Sequence, residues 1–311
     1  MIKDKETYEY LFIDAQLFLT RNWMVLKNKP YYTEQGLFKS FFQSIVKLVK
    51  EEVSTKNVVL LWDKSPYHKI AMLEDYKGDR DYRDESDITD DMSEEEKELL
   101  RKNTEQFRSR QAVKYKLVFE SAKFGMPSVI LGGYEADDFA YLASTSDLVK
   151  NAPGKSCICS KDGDQIFMVN DKMDFYRITK NREHHTMDTL KSVVGDMNPY
   201  RYVSIDQSLH GSHNFLKSTR HPEFIGGVDF VSELLETKSF SFTNNPDLFQ
   251  KQLDSFKVWN YPNYEKAKWM INNIPLKAEF MDESQFNQYC LNNHLDIKYN
   301  YYKSFKEQLG K

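Results

Sequence analysis

The chain has 311 residues, 40% of them apolar and 29% charged, with a formal net charge of −4. Three cysteines, an odd number, argue against a disulfide framework, and the small negative charge excludes a protein that coats nucleic acid through bulk positive charge. No apolar run approaches the ~18 residues of a membrane span and the first residues hold no apolar signal core, so two cytoplasmic lobes sharing one main core are expected, with no membrane partner. This balance still allows a nucleic-acid enzyme, because acids gathered at one site can coexist with a basic groove elsewhere.

In chain order, the apolar run Tyr10–Ile13 ends at Asp14, and Val58–Trp62 ends at Asp63. Between them Leu37, Phe41, Ile45, Val46 and Leu48 recur at helical spacing from Gly36 to Val49, which predicts a βαβ unit with parallel strands. Residues 79–91 are acidic and turn-like, and Ser93-Glu94-Glu95-Glu96 has the form of a capping box opening a helix. That helix then carries Arg101, Lys102, Arg108, Arg110, Lys114 and Lys116, a face suited to a phosphate backbone or to plain solvent. A strand at Ser128–Leu131 leads through Gly132-Gly133 into a helix opened by Glu135. After a Pro153-Gly154 turn, Ser156–Cys159 forms a strand with Cys157 and Cys159 as buried small hydrophobes, ending at Lys161-Asp162-Gly163-Asp164.

Met173–Ile178 reads as a further strand, Lys180–His185 as a polar loop containing His184 and His185, and Met187–Val194 as a short helix. From about residue 200 the texture becomes helical and rich in aromatics and Asn, which places a second lobe at 201–311 after a first lobe at 1–200. Trp259, Trp269 and the Tyr299–Tyr302 stretch read as core and surface aromatics.

Seven carboxylates thus fall at four strand ends: Asp14, Asp63, Glu135, Asp137, Asp138, Asp162 and Asp164. In open α/β sheets, sites form outside the carboxyl ends of the strands. A single Asp after a strand is an ordinary turn former, and an acidic helix N-terminus is an ordinary cap. The set is what carries weight. On a helix, Glu135 and Asp138 share a face at i and i+3, and the helix dipole offsets only ~0.3–1 kcal/mol of repulsion per charge. A divalent cation neutralises such a cluster, and all-oxygen ligands select magnesium or manganese over zinc. Tyr76-Lys77-Gly78-Asp79-Arg80 adds an aromatic face for stacking and cations that can stabilise charge on a scissile phosphate.

The order Asp14, Asp63, Tyr76-Lys77-Gly78-Asp79-Arg80, Glu135-Ala136-Asp137-Asp138 and Asp162-Gly163-Asp164 resembles the flap endonuclease/5′-nuclease family, over roughly residues 8–215. The family includes bacteriophage 5′→3′ exonucleases, phage-type RNase H and the 5′-nuclease domain of DNA polymerase I. The resemblance implies an α/β, PIN-like, mostly parallel twisted sheet flanked by helices. It also implies a helical arch over about 76–123 and a helix–three-turn–helix in the C-terminal lobe. Asp14, Asp63, Glu135 and Asp137 would hold a first metal ion, with Asp162 adjacent, Asp138 lining the site and Asp164 toward a second ion. Lys77, Arg80 and Asp162 would be catalytic, and Tyr76, Arg101, Arg108, Asn214 and Lys217 would contact substrate. The implied chemistry is phosphodiester hydrolysis with two Mg²⁺ or Mn²⁺ ions. The expected substrates are DNA 5′ ends or flaps, or RNA–DNA hybrids, in replication or primer removal beside proteins such as single-strand binding protein.

One departure stands at the second ion. The family's Gly-Asp-x-x-Asp-Asn has its counterpart in Leu209-His210-Gly211-Ser212-His213-Asn214, where two aspartates are replaced by His210 and His213. Imidazole weakens magnesium and favours manganese or a later transition metal. The two histidines are therefore either ligands of an altered second site or hydrogen-bonded structural residues. The following Lys217–Pro222 is a poor match to the family's glycine-rich hairpin, which leaves duplex binding and a potassium ion there as open expectations. A PIN-type endoribonuclease and a nucleic-acid-binding accessory protein with weakened catalysis are the alternative readings.

Overall fold

The structure is a computed structural model that describes residues 7–30, 32–72, 85–179, 182–189, 251, 257–275 and 280–309, apart from the side chains of Met72, Glu85, Asp164 and Phe167. Tyr76, Lys77, Arg80, His210, His213, Asn214 and Lys217, and the expected lobe boundary near residue 200, lie outside the described residues. The elements in chain order begin with β1 (Tyr8–Asp14), α1 (Ala15–Leu26), α2 (Glu34–Lys47), β2 (Thr55–Leu61), α3 (Tyr67–Met72), α4 (Glu94–Glu120) and β3 (Ser128–Val129). They continue with α5 (Ala136–Ser144), α6 (Asp147–Lys150), β4 (Ser156–Ser160), β5 (Met173–Arg177) and β6 (Glu183–His185). The last are α7 (Tyr264–Asn272), α8 (Glu283–Asn292) and α9 (Tyr299–Leu309). Among the described residues no helix is long and apolar enough to cross a membrane.

Two compact units interleave along the chain. The first gathers the described residues within Met1–Trp62, Arg80–Val129 and Ile274–Lys311, and the second those within Asp63–Asp79 and Ile130–Asn273. In the first unit β1 pairs with β2 in parallel, from Tyr8 opposite Thr55 to Asp14 opposite Leu61, and β2 pairs with β3 in parallel. Leu11, Phe12, Ile13 and Val58 to Leu61 are all buried, the continuous apolar pattern of a parallel strand covered on both faces. Helix α2 starts where the Thr33 hydroxyl accepts the Gly36 N–H at 3.0 Å, and it buries Leu37, Phe38, Phe41, Phe42, Ile45 and Val46 along one stripe. The expected βαβ unit is present. Helix α1 directly after Asp14 was not expected, because Ala15–Leu26 mixes Arg21, Asn22 and exposed Met24 and Val25 into its apolar pattern.

The capping box expected at Ser93 is formed: Ser93 Oγ accepts from Glu96 N, and Ser93 N donates to Glu96 Oε2. Helix α4 then runs 27 residues. It buries Leu100, Val113 and Leu117, and the Arg110 guanidinium lies 4.7 Å over the Trp23 ring of α1. Arg101 and Arg108 are exposed on it.

Phe124, with no exposed surface, is the meeting point of this unit. The rings of Phe42, Tyr289, Tyr302, Phe38 and Phe286 stand 5.0, 5.2, 5.9, 6.0 and 6.1 Å from it, most of them tilted or edge-on. The helices α8 and α9 thereby complete a core begun by α2. Gly125 turns the chain here with φ +79°, and a Cβ would come within 2.2 Å of the Phe280 ring.

In the second unit β4 and β5 are parallel and β6 returns antiparallel. Cys157 and Cys159 on β4 are buried, as expected of small hydrophobes. His184 and His185, read from the sequence as part of a loop, belong to β6, where His185 pairs opposite Phe175 and stacks on its ring at 5.7 Å. A three-residue edge strand of Glu-His-His has no apolar alternation to announce it. Asp174 on β5 has no exposed side chain and is compensated by Lys155 at 3.1 Å and His184 at 3.4 Å. Every described strand pairing within the two units is parallel except β5 with β6, in keeping with an α/β class of mostly parallel strands flanked by helices.

Replacing Phe124 by Ala should lower the free energy of unfolding by about 3–5 kcal/mol, the usual cost of a large aromatic cavity. Replacing Phe119, which is 75% exposed on α4, should change it by less than about 0.5 kcal/mol. Urea denaturation of the two variants checks this, and equal midpoints would refute the core position given to Phe124.

Candidate active site

The chain after β2 runs alongside the chain before α5. Lys64 N donates to Tyr134 O at 2.9 Å, Gly133 N donates to Ser65 O at 3.0 Å, and Asp63 Oδ1 accepts the Ala136 N–H at 2.8 Å. Asp63 is thus bonded to the first backbone N–H of α5, a charge-assisted bond at the positive end of the helix. Glu135 opens α5, as expected, and does so as its N-cap. Its backbone N–H is taken by Asp138 Oδ2 at 2.8 Å.

That exchange turns both carboxylates inward. Glu135 and Asp138 are each 4% exposed. Lys69, on the short helix α3, places its Nζ 2.8 Å from Glu135 Oε2 and 3.0 Å from Asp138 Oδ1. Burial pushes the Asp138 carboxyl above the usual carboxylate range, against the lowering pull of the Lys69 ammonium and the Glu135 N–H. An uncompensated buried carboxylate is costly, so the ammonium is what allows two of them to sit together.

The remaining sequence-derived acids are placed as follows. Asp137 is half-buried and accepts from Gln165 Nε2, and Gln165 is itself buried in the 3₁₀ turn Gly163–Met168. Asp162 is exposed at the end of the β4 turn, where its N–H is held by Ser160 Oγ at 3.1 Å. Asp14, in the first unit, ends β1 and caps α1 by accepting the Leu17 N–H at 3.0 Å. Among the described residues no group of three or more His, Cys, Asp or Glu side chains converges to hold an ion. Asp63 and Asp137 each use one oxygen, for the Ala136 N–H and for the Gln165 amide, while Glu135 and Asp138 share the Lys69 ammonium. Two buried carboxylates side by side are hard oxygen donors of the kind a divalent ion takes, and in this structure the positive charge beside them is the Lys69 ammonium.

Lys69 was missed by sequence reasoning. Nothing in Tyr67-His68-Lys69-Ile70 separates it from the neighbouring Lys64. Its neighbour His68 packs beside Tyr67, Tyr134 and Tyr261 at 4.1, 6.1 and 5.7 Å between ring centroids. Gly133, at φ +90°, passes so close that a Cβ would meet His68 Nε2 at 2.2 Å, so only Gly fits there. This is the physical content of the Gly132-Gly133 turn.

Burial pulls the His68 pKa below its ordinary value. The folded chain therefore holds His68 neutral while the unfolded chain takes up a proton near pH ~6.5. The stability this contributes is present above pH ~6.5 and is lost as pH falls toward the folded value, with a limiting slope of about 1.4 kcal/mol per pH unit. A His68→Leu variant should show a shallower loss of Tm than the parent between about pH 7 and pH 5. Parallel curves would contradict the burial of a neutral imidazole.

A family described as "5′-3′ exonuclease, N-terminal resolvase-like domain" matches residues 9–195. The flap endonuclease of Escherichia phage T5 is 27% identical over 206 residues, 59% of this chain and 65% of that protein. The chain therefore spans just under two thirds of the length of this relative. Two solved structures of phage T5 proteins are also similar. One, co-crystallised with metal ions, is 17% identical with a TM-score of 0.49, covering 98% of each chain. The other, a flap endonuclease in a pseudo-enzyme–product complex with DNA and metal ions, is 16% identical with a TM-score of 0.45, covering 98% of this chain and all of that one. With its family match covering more than half of its length, and with Glu135-Ala136-Asp137-Asp138 inside that match, the chain belongs to the 5′-3′ exonuclease family with an N-terminal resolvase-like domain.

Proposed function

We propose that this chain is a divalent-metal-dependent, structure-specific 5′ nuclease that hydrolyses phosphodiester bonds at DNA 5′ ends or flaps. The observation that carries the reading is the buried Glu135–Asp138 carboxylate pair, ion-paired here with Lys69, within a match to a 5′-3′ exonuclease family. The name of the phage T5 relative, a flap endonuclease, supports the same substrate. A role in primer removal, RNA–DNA hybrid as a second substrate and contact with single-strand binding protein belong to this proposal.

Glu135 and Asp138 would hold the ion together with Asp63, Asp137 and Asp14, and Asp162 and Asp164 would lie beside it. Bound Mg²⁺ or Mn²⁺ supplies an activated water and stabilises charge on the leaving oxygen. The chain's own groups do the rest. Tyr76 stacks on the terminal base, and Lys77 and Arg80 offset the negative charge that develops on the phosphate. Exposed Arg101 and Arg108 on α4, with Lys217 and Asn214, hold the phosphate backbone. His210 and His213 serve a second ion of later-metal character.

The test is cleavage of a labelled 5′-flap DNA, an RNA–DNA hybrid and a single-stranded RNA, each with Mg²⁺ and with Mn²⁺. The parent should cleave the flap, and Asp162→Asn should lose on the order of 100-fold or more in kcat. Binding without cleavage by the parent in either metal would leave the accessory-protein reading. Preference for single-stranded RNA would leave the endoribonuclease.

The histidines are tested separately. A His210→Ala, His213→Ala double variant should need about tenfold or more Mn²⁺ for half-maximal rate, the scale of losing ligands from one site. A rate equal to the parent at every Mn²⁺ concentration would remove them from the metal site.

A further inference from the structure

Lys69, Glu135 and Asp138 all have side chains with 5–6% exposure, and the ammonium lies within 3.0 Å of both carboxylates. We infer that Lys69 is an internal competitor for the metal: its ammonium holds Glu135 and Asp138 together until a divalent cation enters and drives the lysine side chain out. The inference rests on the proposal that these two acids face the ion, and it adds a residue and a regulatory consequence to it.

Three features of the geometry carry it. The two carboxylates are buried side by side, so some cation must compensate them whether or not metal is bound. Lys69 occupies Glu135 Oε2 and Asp138 Oδ1, hard oxygens of the kind a divalent ion takes, and an ammonium and a divalent ion close to the same two carboxylates repel each other strongly. The lysine can also leave. Its charge sits on a flexible four-carbon stem, and the α3 backbone that carries it is only six residues long. Asp138 has a second anchor, the Glu135 N–H on Oδ2, so removing the ammonium from Oδ1 does not release the carboxyl from the helix start. A purely structural ion pair would instead be retained when metal binds.

The experiment uses the full chain. Mn²⁺ and Mg²⁺ are titrated calorimetrically into the parent, Lys69→Met, Lys69→Arg and Glu135→Gln. Alongside, the parent is treated with an amine-acylating reagent with and without saturating Mn²⁺, and modification of Lys69 is followed by peptide mass spectrometry. Lys69→Met keeps the stem and removes the charge, so it should bind metal at least about tenfold more tightly, equivalent to about 1.4 kcal/mol. Lys69→Arg should bind no more tightly than the parent. In the parent, saturating Mn²⁺ should speed Lys69 acylation several-fold, a readout that needs no variant to fold. If metal binding is lost in Glu135→Gln but Lys69 acylation is unchanged or slowed by Mn²⁺, the competition is wrong and the metal site stands. If metal binding survives Glu135→Gln unaltered, both proposals are overturned.

Discussion

Two buried carboxylates side by side repel each other unless a cation or a proton lies between them, and the segments around Glu135 and Asp138 are arranged to satisfy that constraint. The Asp63 carboxylate takes the Ala136 N–H, Asp138 takes the Glu135 N–H, and the Lys69 ammonium closes the space between Glu135 and Asp138. Each bond answers the cost of burying an ionised group. The close approach that makes this possible depends on Gly133, whose missing side chain leaves room for the His68 ring on the helix that carries Lys69. A positive-φ glycine turn, a buried imidazole and an internal ammonium are therefore parts of one arrangement. Its common purpose is to keep acid oxygens pointed at a cation.

The first unit is held by a different force. Its parallel strands are apolar on both faces, and the aromatic ring of Phe124 gathers residues from α2 and from the last two helices. Dispersion and apolar burial do here what charge compensation does around Glu135. A consequence is that the end of the chain is structurally part of its beginning. A further buried carboxyl, Asp174 on β5, is met in the same manner by the Lys155 ammonium, with the His184 ring 3.4 Å away.

Much of the fold was legible because it is written in local periods. The runs ending at Asp14 and Asp63, the helical stripe from Leu37 to Val46 and the Ser93–Glu96 box each specify an element through contacts a few residues apart. The His-containing strand β6 escaped because a half-exposed edge strand of three polar residues has no period of its own. Helix α1 escaped because its apolar stripe is narrow and interrupted. At the site, the sequence pointed to Glu135 and Asp138 as neighbours on one face. Glu135 opens α5 as its cap, a position that turns on one backbone torsion pair.

The sequence by itself determined the acids at strand ends, the parallel strand pattern and the membership of a 5′-3′ exonuclease family, because each is carried by residue type and spacing along the chain. Only the tertiary structure decided which cation faces Glu135 and Asp138. Lys69 stands 66 residues before Glu135, and no periodicity links the two. Their meeting follows from the pairing of the segment after β2 with the turn before α5, a contact fixed by backbone hydrogen bonds between distant stretches. For the same reason the Phe124 core needed the fold to be seen: its rings come from residues more than 200 apart in sequence, and burial, unlike periodicity, is a property of the folded chain.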